Sequence, residues 1–250
     1  MLDIIMACHN HLEYTIQAIA ALKRNTPPEF RLTIVDDSTD LTPAYLRNLR
    51  RLGGININYV RPDIKITEGN QNINIGLKAT TSNPVVFMAQ NTFVEPDWAQ
   101  YPPLIMQHDD KVALVGAKLL FQHGIIEHAG IILFEDSPCW CDIGRNEPGH
   151  RHSYIAPAPA VGFALVFINR LAFPDGFPEG LYPHGFAGPD DVDACFAVRK
   201  RGWKVMYCGA CSAYHAANAV RSKGTDYEKN VEECRQFFLS RWGTGGTELK

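Results

Sequence analysis

Short apolar runs and helical spacings alternate along the first half of the chain. Residues 2–7, 31–35, 55–60, 84–88 and 112–116 are rich in Ile and Val, and most are apolar at nearly every position. Strands buried on both faces have that pattern, whereas half-exposed strands alternate apolar with polar. Between these runs, residues 12–22, 43–52, 71–79 and 97–108 carry helical spacing. Asn10, with Glu13 three residues on, predicts a capping box that opens the first helix. This alternation predicts an α/β sandwich around a mainly parallel sheet, with ligands beyond the carboxyl ends of the strands.

The second half is patterned differently. Residues 118–121 and 125–134 flank His123-Gly124, which predicts a small antiparallel hairpin. Residues 135–154 are polar and aperiodic, and a connection that long inside a compact domain points to function or mobility. A strand is expected at 160–168, a helix at 191–201 closed by Gly202, a short strand at 204–207 and an amphipathic helix at 227–242. No internal repeat is present. The expected organisation is a single domain over 1–242, followed by a flexible tail at 243–250.

Composition narrows the class. A chain of 250 residues can bury a core without disulfide staples. A net charge of -3 lacks the basic footprint of a nucleic-acid binder. The N-terminus has Asp3 and no basic region, so it does not read as a secretory leader. No apolar run approaches the roughly 20 residues that span a bilayer. Seven cysteines fit a reduced compartment, so the expected location is cytoplasmic, either free or peripheral at the membrane. Cys139 and Cys141, with Cys208 and Cys211, have a spacing that structural zinc can use, although buried free thiols are the commoner outcome. Ala7-Cys8-His9-Asn10 stands where a dinucleotide-binding G-x-G-x-x-G would follow the first strand, and neither a P-loop nor G-x-S-x-G is present.

Four polar clusters fall at predicted strand or helix ends: Ala7 to Asn10, Asp36 to Asp40, Ala89 to Thr92, and Gly188 to Asp193. Each alone reads as routine helix capping. Their common placement at one edge of a sheet does not.

These clusters, in this order, resemble family-2 glycosyltransferases of the GT-A fold, in particular bacterial rhamnosyltransferase-like members. The resemblance rests on Ile4 to Asn10, on Val35-Asp36-Asp37-Ser38-Thr39-Asp40, and on Asn70 to Leu77. It rests further on Asp190-Asp191-Val192-Asp193 with Arg199 to Trp203, on Tyr214-His215, and on the Arg241-Trp242-Gly243 ending. It implies a Rossmann-like GT-A sandwich, with a nucleotide-sugar-binding half over 1–117, an acceptor and catalytic half over 118–225, and a terminal helix over 226–242. It also implies a UDP- or dTDP-linked donor, a glycan acceptor, a divalent cation (Mn or Mg), no organic cofactor, and a place in polysaccharide biosynthesis. Residue by residue, it implies that Asp37 bonds the base in a pocket lined by Ala7 and His9. Asn72, Gly76, Gln90 and Asn91 would lie near the donor, and Gly162 and Asp190 near the acceptor; apart from the resemblance, Trp140 in the irregular loop is a candidate to stack on an acceptor sugar, because loops host binding residues. Asp191 would be the catalytic base, and Asn91 and His215 the metal position.

The chemistry of transfer makes two demands: a base for the acceptor hydroxyl, and a counter-charge for the departing diphosphate. Asp190, Asp191 and Asp193 lie close enough to repel one another and raise one pKa. The second demand meets Ala89-Gln90-Asn91, where the family places acids. Three routes are open. Asn91 ligates a cation together with His215 and the diphosphate; Arg145, Arg151 or His152 from the long loop neutralise the leaving group; or the chain is a nucleotide-sugar or glycan-binding relative impaired in catalysis.

Overall fold

The computed structural model describes residues 1–133, 140–216 and 226–243, excepting the side chains of Leu133, Trp140 and Cys141. Strands β1 (Leu2–Cys8), β2 (Phe30–Asp36), β3 (Asn56–Val60) and β4 (Val85–Ala89) are parallel and lie in the order β3-β2-β1-β4. Beyond β4, the sheet continues through strands from the second half of the chain. The antiparallel β11 (Leu165–Ile168) joins β4 to β6 (Val112–Leu120), and β12 (Lys204–His215) runs parallel to β6. β5 (Thr92–Val94) and β10 (Ile155–Pro157) pair with β12, and β7 (Ile126–His128) pairs with β6. β8 (Ile131–Leu133) and β9 (Trp140–Asp142) form a separate hairpin.

The apolar runs are explained by burial on both faces. Ile5 enters a core with α3 (Gly69–Lys78), α5 (Asp190–Lys200) and α6 (Tyr227–Trp242). Its neighbours Ile4 and Met6 face a second core with α1 (Leu12–Asn25), α2 (Thr42–Leu52) and α4 (Tyr101–His108). The sheet is thus sandwiched as expected. Asp193 fastens α6 to α5: its buried Oδ2 accepts bonds from Tyr182 Oη (2.9 Å) and Trp242 Nε1 (2.8 Å), and pairs with Arg241 at 3.1 Å. The Arg241-Trp242 ending therefore packs the fold.

Several boundaries differ from expectation. α4 starts at Tyr101 rather than 97, where Asp97 has φ 61°. β6 runs unbroken from Val112 to Leu120, so the hairpin's first strand is the end of a long core strand. β12 reaches His215 instead of stopping near 207, because a register shift between Cys208 and Ser212 interrupts its apolar pattern without ending it. The capping box does not form. His11 caps α1 in a left-handed conformation with no side-chain bond, and Asn10 turns to the next loop. Cys208 and Cys211 are buried in β12 and free, while Cys139 and the Cys141 side chain lie outside the described residues.

At the amino end of β1, Asp3 is 1% exposed and accepts two 2.7 Å bonds from Arg31, with further bonds from the Thr81 and Ser82 backbone. Burial pushes its carboxyl up, but these donors outweigh burial and hold the pKa at about 2, below the ordinary 3.8. A lowered pKa stabilises the fold above the unfolded value, and that contribution is lost as pH falls from about 4 towards 2. Asp3→Asn is expected to cost roughly 2 kcal/mol at neutral pH, with the deficit shrinking below pH 4. Urea melts of both proteins across pH check this.

Candidate functional site

In the order β3-β2-β1-β4, the connection after β1 leads to β2 on one side, while the chain after β4 leads to β5 against β12 on the other, which opens a crevice beyond the carboxyl ends of β1 and β4. Gln90 closes the floor of that crevice. Its Oε1 accepts a 2.6 Å bond from His9 N, while Nε2 donates to Asn10 O (2.8 Å) and His9 O (3.3 Å). An amide can accept and donate at once; a carboxylate could not serve those carbonyls. Asn10 carries the order onward, its N bonding Ser38 Oγ (2.7 Å) and its Oδ1 accepting from Thr39 N and Asp40 N. His9 Nδ1 lies 2.8 Å from Asp37 Oδ1, and Ala7 pairs in register with Val35 and Ala89. Buried Asp36 accepts from Ser38 N and Tyr59 Oη. The ends of β1, β2 and β4 are thereby bonded into one unit holding Ala7, His9, Asp37 and Gln90.

Asn91 faces another group. Its Nδ2 donates to Ala216 O at 2.9 Å and lies 3.2 Å from His215 Nε2. His215 Nδ1 lies 2.8 Å from Glu127 Oε2, on β7. Ala216 O can only accept, which fixes the amide orientation, and the second amide hydrogen then faces Nε2. The ring proton therefore resides on Nδ1, towards Glu127. Sequence reasoning missed Glu127. Its signal was the polar pair Glu127-His128 inside the apolar run 125–134.

The neighbouring His128 is buried, with Nε2 accepting from Gly162 N (3.0 Å) and Nδ1 bonding Asp142 Oδ1 (2.8 Å). A Cβ built on Gly162 finds no atom closer than 3.7 Å, so packing does not require glycine there. Packing does require it at Gly76, where a Cβ would stand 2.3 Å from Ile5 Cγ2, so Gly76 seats α3 on β1. Asn72 is buried on the same helix. The Trp140 side chain lies outside the described residues. Of the loop bases, Arg145 pairs with Asp142, and Arg151 and His152 with Glu147.

Asp190 and Asp191 open α5 beside the start of α3. Asp191 Oδ1 accepts from Val192 N at 2.9 Å. Burial pushes the Asp190 carboxyl up to about 7, with the charges of Asp191, Glu68 and Asp193 adding to it and a Gly69 backbone bond opposing.

The model of glycosyl transferase family 2 matches residues 3–128, just over half of the chain. The chain belongs to that family. A relative, the uncharacterized Sinorhizobium fredii (strain NBRC 101917 / NGR234) protein y4gI, is 27% identical over 164 residues, which cover 60% of this chain and 17% of that protein. Among solved structures, the family-2 domain resembles the mannosyltransferase PcManGT from Pyrobaculum calidifontis in complex with GDP-Man and Mn2+. The TM-score is 0.66 at 14% identity, covering 96% of this chain and 63% of that one. GalNAc-T7 with UDP, GalNAc and Mn2+ gives 0.69 at 16% identity, covering 96% and 51%. S. aureus TarS 1-349 in complex with UDP-GlcNAc gives 0.60 at 14%, covering 96% and 67%. These likenesses show the GT-A fold. The chain spans about half to two thirds of those structures.

Although two of these structures hold manganese, the Asn91–His215 group of this domain does not fit a resident divalent cation. Among the described residues, no group of three or more His, Cys, Asp and Glu side chains is placed to hold one. Asn91 carries no charge, its amide nitrogen points into the group, and the Glu127 carboxylate is bonded to the His215 ring. Hard cations need several oxygen ligands, with charge among them. Among the described residues, no helix is long and apolar enough to cross a membrane.

The raised pKa of Asp190 has a sign that can be tested. A raised carboxyl favours the fold at low pH, and the advantage is lost as pH rises from about 4 through about 7. Asp190→Asn, which mimics the protonated group, is expected to melt at a higher temperature than the parent at pH 8. The two are expected to converge towards pH 4 in calorimetry.

Proposed function

We propose that this domain transfers a sugar from a nucleotide-sugar to a hydroxyl of a glycan, with inversion at the anomeric carbon. The observation that supports this most is the bonded crevice at the ends of β1, β2 and β4, continuous in sequence with Asn91. In this reading the base lies against Asp37, His9 and Ala7, and the diphosphate crosses towards Asn91 and His215. Asn72 flanks the donor. Gln90 acts through the loop it braces, and Gly76 through the seating of α3. A UDP- or dTDP-linked donor remains the favoured class, alongside the GDP- and UDP-sugars of the structural relatives.

Asp191 acts as the base. It takes the acceptor hydroxyl proton, the oxygen attacks the anomeric carbon from the face opposite the diphosphate, and the carbon–oxygen bond to the diphosphate breaks. The nucleoside diphosphate leaves with the electron pair. Asp190, Gly162 and Trp140 border the acceptor in this scheme. We read residues 1–242 as one catalytic unit, of cytoplasmic or peripheral location, in polysaccharide assembly. A second reading, a binding relative without turnover, is favoured by the Asn91 amide alone. Asp191→Asn is expected to lower transfer about 10²–10⁴-fold while nucleotide affinity stays at the parental value and the melting temperature does not fall, since the variant also removes a charge that opposes the buried Asp190. Full turnover in that variant removes Asp191 as the base; transfer absent from the parent too, across donors and acceptors, supports the second reading.

A further inference from the structure

We infer that His128, held by Asp142, positions the Gly162 backbone as the ledge against which the acceptor sugar lies. The inference rests on the transferase reading above and adds to it two residues outside the donor site. Its first support is where Gly162 stands. One residue earlier, Val161 O accepts from Cys195 Sγ at 3.8 Å, and Cys195 lies one turn after Asp191 on the same face of α5. Two residues later, Ala164 O accepts from Ala89 N (3.0 Å) and Thr92 Oγ1 (3.1 Å), which closes the segment on the Gln90-Asn91 stretch. Gly162 is thus carried by the segment that joins the face of α5 bearing the proposed base to the proposed donor site. It is partly exposed there, between buried Val161 and Phe163.

The second support is a chain of hydrogen bonds. Gly162 N donates to His128 Nε2 at 3.0 Å, so that nitrogen carries the lone pair and the ring proton sits on Nδ1, 2.8 Å from Asp142 Oδ1. Arg145 Nη1 donates to Asp142 Oδ2 at 2.8 Å. Burial pushes the Asp142 carboxyl up, but His128 and Arg145 outweigh burial and hold it below the ordinary carboxylate range, where it serves as an acceptor for the ring. The long polar segment 135–154, which contains Asp142 and Arg145, thereby gains a part in the site. The third support is room. A Cβ on Gly162 would find the His128 ring as its nearest neighbour, 3.7 Å from Nε2 and 3.8 Å from Cδ2 and Cε1. Neither packing nor a left-handed backbone demands glycine here, and the missing side chain leaves space beside the ring for a sugar. His128 acts through the Gly162 backbone, so it is a positioning residue.

Steady-state transfer from UDP-, GDP- and dTDP-sugars to a panel of octyl glycosides tests this, with nucleotide binding followed separately by calorimetry. With the preferred pair, His128→Leu is expected to raise the acceptor KM about tenfold, the weight of about one hydrogen bond. The donor KM and nucleotide affinity are expected to stay at parental values. His128→Gln, whose Oε1 can still accept from Gly162 N, is expected to recover most of the loss. Gly162→Ala is expected to melt with the parent and to raise the acceptor KM in the same way. Should His128→Leu fail to fold, Asp142→Ala, at a partly exposed position, is expected to show the same split between acceptor and donor. Donor and acceptor KM rising alike, a change in kcat alone, or a Gln variant no better than Leu overturns the role of His128 and leaves the transferase reading intact. A parent that transfers to no acceptor removes the transferase reading, and this inference with it.

Discussion

The site depends on what two consecutive amides can do that carboxylates cannot. Gln90 accepts from one backbone N–H and donates to two carbonyls, and so ties the β1–α1 loop to the end of β4. Asn91 donates to a carbonyl on the far side and faces the His215 ring. Buried backbone groups left without partners are costly. The ordering of the loop after β1, and through Asn10 of the loop after β2, follows from this one peptide unit. The family position usually given to acids has become a hydrogen-bond hub.

The start of α5, proposed to carry the base, is held by different means. Asn70 and Asn74 on α3 bond the backbone at Pro178 and Phe177, which fixes the segment leading to α5. Asp193 then pins α5 to α6 through Tyr182 and Trp242. The three acids at the start of α5 therefore divide in function. Asp193 is a packing anchor, Asp190 is shifted by burial and by its neighbours, and Asp191 is the member assigned to the base. Electrostatic crowding alone would not have separated them; their different burial does.

Much of this was legible in the sequence. Strands buried on both faces wrote themselves as continuous apolar runs, and polar clusters at their carboxyl ends marked the crevice. What escaped reading depended on distant partners. Glu127 meets His215 across 88 positions, through a strand that pairs at the edge of β6. Asn10 looked like a helix cap because Glu13 was near, yet its partners lie 29 and 30 residues away. β12 looked short because its register shift hides the pattern. Gly76 and Gly162 looked alike as family positions, but only the first is demanded by packing.

The central claim is that a nucleoside diphosphate lies across the carboxyl ends of β1 and β4, from the His9–Asp37 side to Asn91 and His215. A crystal structure of the chain with a bound nucleotide-sugar tests it most directly. The account predicts the base against Asp37 and the diphosphate against the Asn91–His215 edge, with the anomeric carbon turned towards Asp191. A nucleotide bound elsewhere, such as in the groove between Lys200 and Trp242, or one with its sugar turned away from α5, would contradict it.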